Sequence, residues 1–169
     1  VNDLPQDQDS RAVIGTPGDR SYISANDRER ERLRALVASL GDAELTQQVN
    51  EHWTIAGVLA HVAFWDARAL VLIGKLERDE PFTPDDVEPN DVTWVNDSVR
   101  PLAHAIAPRE AARLAVRLAD ETDARIAAMA PGRLWPNDRT SLVNAFRSEH
   151  RAEHLDEIEV ALGRVHDAR

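Results

Sequence analysis

The stretch Thr54-Ile55-Ala56-Gly57-Val58-Leu59-Ala60-His61-Val62-Ala63-Phe64-Trp65-Asp66, continuing to Gly74, decides the fold of this chain. Thr54 can cap a helix, because its hydroxyl accepts a hydrogen bond from a first-turn N–H that has no other partner. Trp53 before it and Val58 after it are placed as a hydrophobic staple. Beyond the cap, Val58, Leu59, Val62, Phe64, Trp65, Leu70, Val71, Leu72 and Ile73 cover nearly every face of the helix. A surface helix shows one apolar stripe, so a helix that is apolar all round belongs at the centre of a bundle or at a contact between copies. In such surroundings a polar residue stands out, and the only histidine on this helix is His61.

Upstream, Ser24 and Asp27 resemble a capping box, and Leu33, Leu36, Val37 and Leu40 recur at helical spacing until Gly41 ends the pattern. Residues 1–22 hold Pro5, Gly15, Pro17 and Gly18 and read as a flexible arm, leaving residues 23–169 as one bundle domain. Downstream, Pro81, Pro84 and Pro89 lie among seven acids between residues 77 and 91, a long loop between the second and third helices that would border a site. A short helical piece around Trp94 and Val95 should be disturbed by Pro101. Pro108 suits the first turn of another helix, with Ala111, Leu114, Ala115, Leu118, Thr122, Ile126 and Met129 facing the core until Pro131 and Gly132 stop it. The last helix is expected to begin near residues 139–141 and run to about residue 165, with Val143, Phe146, Ile158 and Leu162 inward. No segment alternates with a period of two, so the fold expected is all-α, an antiparallel four-helix bundle.

At 169 residues, 43% hydrophobic and 30% charged, the chain can bury a core without a disulfide or a metal. A formal charge of −10 sets it against phosphate backbones and anionic lipid, and argues against nucleic-acid and membrane partners. No apolar run looks long enough to span a bilayer, and the first twenty residues lack the basic start and apolar core of a secretory leader, so a cytoplasmic location is expected. Cysteine is absent, so thiol chemistry would need an external thiol.

Six histidines are present. His150 and His154 are four apart, one turn from each other on one helix face, in the row Phe146, His150, His154, Ile158, where a core wants apolar groups. Two buried imidazoles without a shared partner are costly, and a divalent cation would resolve that cost. The competing reading is a pair of part-exposed histidines at the bundle edge. His61 shares a stripe with Val58, Trp65 and Arg68 and is the candidate third ligand. Three imidazoles around a metal leave an open position of the catalytic kind. Glu157, three residues after His154, points more nearly at that metal than Glu153, and either could be a catalytic base, a partner of a ligand or a solvated carboxylate. Arg68, two turns beyond His61, either binds an anionic substrate or pairs with an acid of the long loop. His52, His104 and His166 have no comparable arrangement and read as surface residues.

The segment from Trp53 to Asp66, followed far downstream by His150 and His154, resembles the DinB/YfiT-like superfamily over roughly residues 26 to 163. Asp91, Trp94 and Asn96 look like the start of that family's middle helix. The resemblance implies a four-helix bundle, often a homodimer, with a divalent metal, commonly zinc or nickel, on His61, His150 and His154. Trp65, Arg68 and Asn96 are then expected to contact a small-molecule substrate. The superfamily includes thiol-dependent enzymes using mycothiol, bacillithiol or glutathione, among them mycothiol-dependent maleylpyruvate isomerase, and self-resistance proteins that hydrolyse reactive natural products. Heavy use of Ala, Arg, Asp and Val points to a GC-rich genome, such as an actinobacterial one, and hence to mycothiol. The function expected is a metal-dependent enzyme that activates a small thiol or water for transfer to, isomerisation of or hydrolysis of a small electrophile. A self-resistance hydrolase is one rival, and a non-catalytic, ligand-binding bundle is the other.

Overall fold

The computed structural model describes residues 20–82, 92–134 and 143–164. Its helices are α1 (Ser21–Ser39), the single turn α2 (Asp42–Leu45), α3 (Ile55–Glu77), α4 (Val92–Ala105), α5 (Pro108–Ala128), the single turn α6 (Pro131–Leu134) and α7 (Arg147–Ala161). Among the described residues there is no strand, only an isolated bridge between Gln48 and Thr54. The four long helices α1, α3, α5 and α7 make the bundle: α1 and α3 each pack against both α5 and α7, while α4 lies along α3.

The central helix begins where the cap predicts, with the Thr54 side chain accepting from Gly57 N, and runs three residues past Gly74. Contrary to the expectation from hydropathy, α3 is long and apolar enough to cross a membrane by length and composition; 67% of its apolar window is buried inside the bundle, as in the core helix of a globular fold. Pro108 opens α5 as expected.

The last helix ends at Ala161, short of residue 165, and three further points differ from the sequence reading for a physical reason. The first helix starts one turn before the proposed Ser24 cap; Ser24 Oγ donates to Ser21 O, and Ser21 and Tyr22, assigned to the arm, are helical, with Tyr22 fully buried. Pro101 lies inside α4 without ending it. The carbonyl it leaves without its usual donor belongs to Asp97, an exposed residue that water can reach. The last helix begins at Arg147, well after residues 139–141, which lie outside the described residues. Phe146 at its N-cap makes no side-chain cap, and Asn26 of α1 supplies it from across the bundle. Asn26 Oδ1 accepts from Ser148 N at 2.9 Å, and its Nδ2 donates to Ala145 O at 2.8 Å.

The core is divided. One apolar cluster joins Leu33, Leu36, Trp53, Val58, Leu59 and Ile158, and a second joins Tyr22, Leu72, Ile73, Ile126 and Leu134. Between them along the helices, α1 contributes buried Asn26 and Glu29, α3 Asp66, α5 Thr122 and Asp123, and α7 Arg147, Ser148 and Arg151. Arg151 is wholly buried and reaches Asp66 (Nε–Oδ2 3.2 Å, Nη2–Oδ1 3.1 Å) and Asp123 (Nη1–Oδ2 2.7 Å, Nη2–Oδ1 2.9 Å). Arg147 Nε donates to Asp66 Oδ1 at 2.9 Å, and Arg30 of α1 adds a 3.2 Å bond to Asp123.

Removing one member of a buried, hydrogen-bonded ion cluster leaves the others desolvated and unpaired, at a cost of about 3–5 kcal/mol. Urea titration of Asp66→Asn should show a loss of that size, whereas Asp42→Asn, whose pair with Arg109 is solvent-exposed, should lose less than about 1 kcal/mol. Equal losses would contradict the assignment of a supporting role to the buried layer.

Candidate metal centre

One turn from that layer, α3 and α7 bring His61, His150 and His154 together, their ligating nitrogens all within 4.8 Å of one another. His150 Nε2 lies 3.3 Å from His61 Nε2 and 3.2 Å from His154 Nε2. Two nitrogens bound at about 2.0–2.1 Å to a tetrahedral zinc stand about 3.3 Å apart, so both contacts have the spacing of ligands sharing one ion. His61 and His154 are buried, while His150 is half-buried, so of the pair His150 keeps the part-exposed character of the edge-of-bundle reading and His154 does not. His61 Nδ1 is buried with no hydrogen-bond partner among the described residues. An imidazole so placed has Nε2, facing the other two rings, as its means of compensation.

The surroundings suit neutral rings. Burial, and then the charges of His154 and Arg147, push the pKa of His61 well below its ordinary value of 6.5. Burial does the same for His150, with His154, Arg147, His61 and Arg151 adding repulsion. A metal ligand must be unprotonated at the bound nitrogen, so this environment prepares it for binding near neutral pH. Glu157 Oε2 is 2.8 Å from His154 Nδ1. The carboxylate therefore accepts the Nδ1 proton and leaves the Nε2 lone pair facing the other rings, the usual arrangement behind a metal-bound histidine. Of the three readings open to Glu157, the contact with His154 Nδ1 fits that of a partner behind a candidate ligand. Glu153 is half-buried on the same helix.

Two indoles wall the site. Trp53 stands edge-on to His61 at 5.5 Å, and Trp65 stands edge-on to His61 at 6.3 Å and to His150 at 6.4 Å. Trp65 Nε1 donates to Asn96 Oδ1 at 3.2 Å, so α4 braces the indole. The Arg68 guanidinium lies 5.5 Å from the Trp65 ring centre. Trp65, Arg68 and Asn96, singled out in the sequence as substrate contacts, thus form one connected wall beside the three rings. His104 and His52, read as unconnected surface residues, do touch this region: the exposed His104 packs 5.5 Å from Trp53 and its Nε2 donates to His52 O at 3.0 Å. His166 and most of the long acidic loop lie outside the described residues.

Asp66, Asp123, Arg147 and Arg151 were not singled out from the sequence, although Asp66 and Arg68 are the only charged residues between Ile55 and Gly74. An acid in the middle of the most apolar helix was the signal available.

The depressed values have a consequence for the metal-free protein. As pH falls below about 6.5 the unfolded chain takes up protons that His61 and His150 refuse in the folded state, so stability is lost on acidification and is complete above that value. Each ring contributes a slope of up to about 1.4 kcal/mol per pH unit. Urea titrations of chelator-treated protein between pH 7.5 and 5.5 should show this decline, and a smaller one in His61→Leu. A flat profile would contradict the assignment of neutral buried rings.

Residues 25–158 match the family model of the DinB superfamily, nearly the span marked out by the sequence resemblance. No curated protein and no solved structure matches the chain. The match takes in all three histidines, Trp65 and Glu157 and covers most of the sequence, and the chain therefore belongs to the DinB superfamily.

Proposed function

We propose that this chain is a metal-dependent enzyme that holds one divalent cation, zinc or nickel, on His61, His150 and His154, and activates a low-molecular-weight thiol such as mycothiol, or water, for attack on a small electrophile. The convergence of three Nε2 atoms from two helices carries the reading. A cation bound there would polarise a substrate oxygen or lower the pKa of a thiol or water. The protein's own share is positional. Glu157 holds the His154 ring in the ligating tautomer, and Trp53 and Trp65 exclude bulk water from one side of the site. Arg68, held over Trp65, supplies a positive charge for an anionic group on the substrate, and Asn96 fixes the indole between them. With no cysteine in the chain, a thiol nucleophile has to arrive as a cosubstrate.

Elemental analysis of protein exposed to zinc and to nickel should give near one equivalent in the parent and none in His61→Ala, His150→Ala or His154→Ala variants that retain the parent circular dichroism. Glu157→Gln should keep the site but weaken affinity by about 10- to 100-fold, the usual effect of removing the partner behind a ligand. A parent that takes up neither metal would end the proposal. Turnover of an electrophile that requires added thiol would select thiol transfer or isomerisation, and turnover without it would select hydrolysis.

A further inference from the structure

The hydrogen bonds around the three rings form a directional chain, and its first member is not a group that metal sites normally place there. The Arg147 guanidinium, held by Asp66 at 2.9 Å, lies with Nη2 3.5 Å from His150 Nδ1. A guanidinium has donors only, so His150 Nδ1 must present a lone pair to it. The single proton of the neutral ring then sits on Nε2, 3.2 Å from His154 Nε2. His154 can accept it, because its own proton is on Nδ1, donated to Glu157 at 2.8 Å. The same proton faces His61 Nε2 at 3.3 Å, which leaves the His61 proton on Nδ1, the buried atom without a partner among the described residues. One arrangement of hydrogens satisfies all of these contacts: Asp66 accepts from Arg147, Arg147 donates to His150, His150 to His154, and His154 to Glu157.

We infer that Arg147 is a positioning residue that locks His150 in the non-ligating tautomer, making His150 the weak and exchangeable member of the three-histidine site. The inference about affinity rests on the proposed metal function, whereas the tautomer belongs to the chain itself. In the metal-free protein the three rings hold one another in register through the His150 proton. Were His150 to hold a cation through Nε2, its neutral ring would have to carry its proton on Nδ1, directed at the guanidinium. His61 and His154 meet no such opposition. Ligating histidines usually donate their second N–H to a carboxylate or carbonyl, as His154 does to Glu157, and Arg147 is the opposite kind of partner.

The test begins with long-range proton–nitrogen correlation NMR on chelator-treated parent protein, which reads the tautomer of each ring without any metal. His150 should be the Nε2–H form and His154 the Nδ1–H form; His150 as Nδ1–H would overturn the inference. The second arm measures zinc affinity by chelator competition in Arg147→Met and Arg147→Gln. Both leave Asp66 its two bonds from Arg151, and the amide oxygen of Gln can accept an Nδ1–H. A hydrogen bond involving a charged group is worth enough to change binding by roughly tenfold, so both variants should bind zinc about tenfold more tightly than the parent. Equal or weaker binding in a variant with the parent circular dichroism would overturn the inference. Should neither variant fold, the parent tautomer decides it. A parent that binds no zinc would end the proposed function while leaving the tautomer result to stand or fall alone.

Discussion

Arg151 has no contact with water, and its place in the bundle depends on two carboxylates, Asp66 from α3 and Asp123 from α5, that receive four hydrogen bonds from its guanidinium. Replacing such a cluster by apolar side chains is often neutral or stabilising, so its presence is weak support for stability. Its geometric effect is more specific: charges that are costly to separate fix the register of α7 against α3 and α5. That register sets His150 and His154 opposite His61. The Arg147 bond to Asp66 carries the constraint to the edge of the site itself.

The apolar clusters on either side of the charged layer give the bundle its cohesion, and the layer and the trans cap from Asn26 give it alignment. This division of labour explains why the most hydrophobic helix carries an acid at its middle. Asp66 is five residues from His61, near enough that a shift of α3 moves both together. The site is thus held from beneath by ion pairs and walled by Trp53 and Trp65, and a cation entering it would meet imidazoles already kept neutral by burial.

What could be read in the sequence was what local spacing encodes. The Thr54 cap, the all-round apolar character of α3, Pro108 at the start of α5 and the four-residue interval between His150 and His154 depend on neighbours within a turn or two. The start of α7 could not be read, because its cap comes from Asn26, 122 residues away. Pro101 misled because its cost depends on exposure, and α4 leaves the affected carbonyl open to water. The ionic layer was hidden for the same reason as the trans cap: Arg151 meets Asp66 across 85 residues and Asp123 across 28. Glu157 was legible by helical angle, but which ring nitrogen of His154 it meets was not.

The central claim is that three imidazoles from two helices share one ion. X-ray absorption at the zinc edge of the zinc-loaded parent measures that shell directly. The account predicts about three nitrogen scatterers at about 2.0–2.1 Å, with the outer-shell pattern of imidazole rings and no sulfur until a small thiol is added. A shell of oxygen alone, without the imidazole pattern, would contradict it.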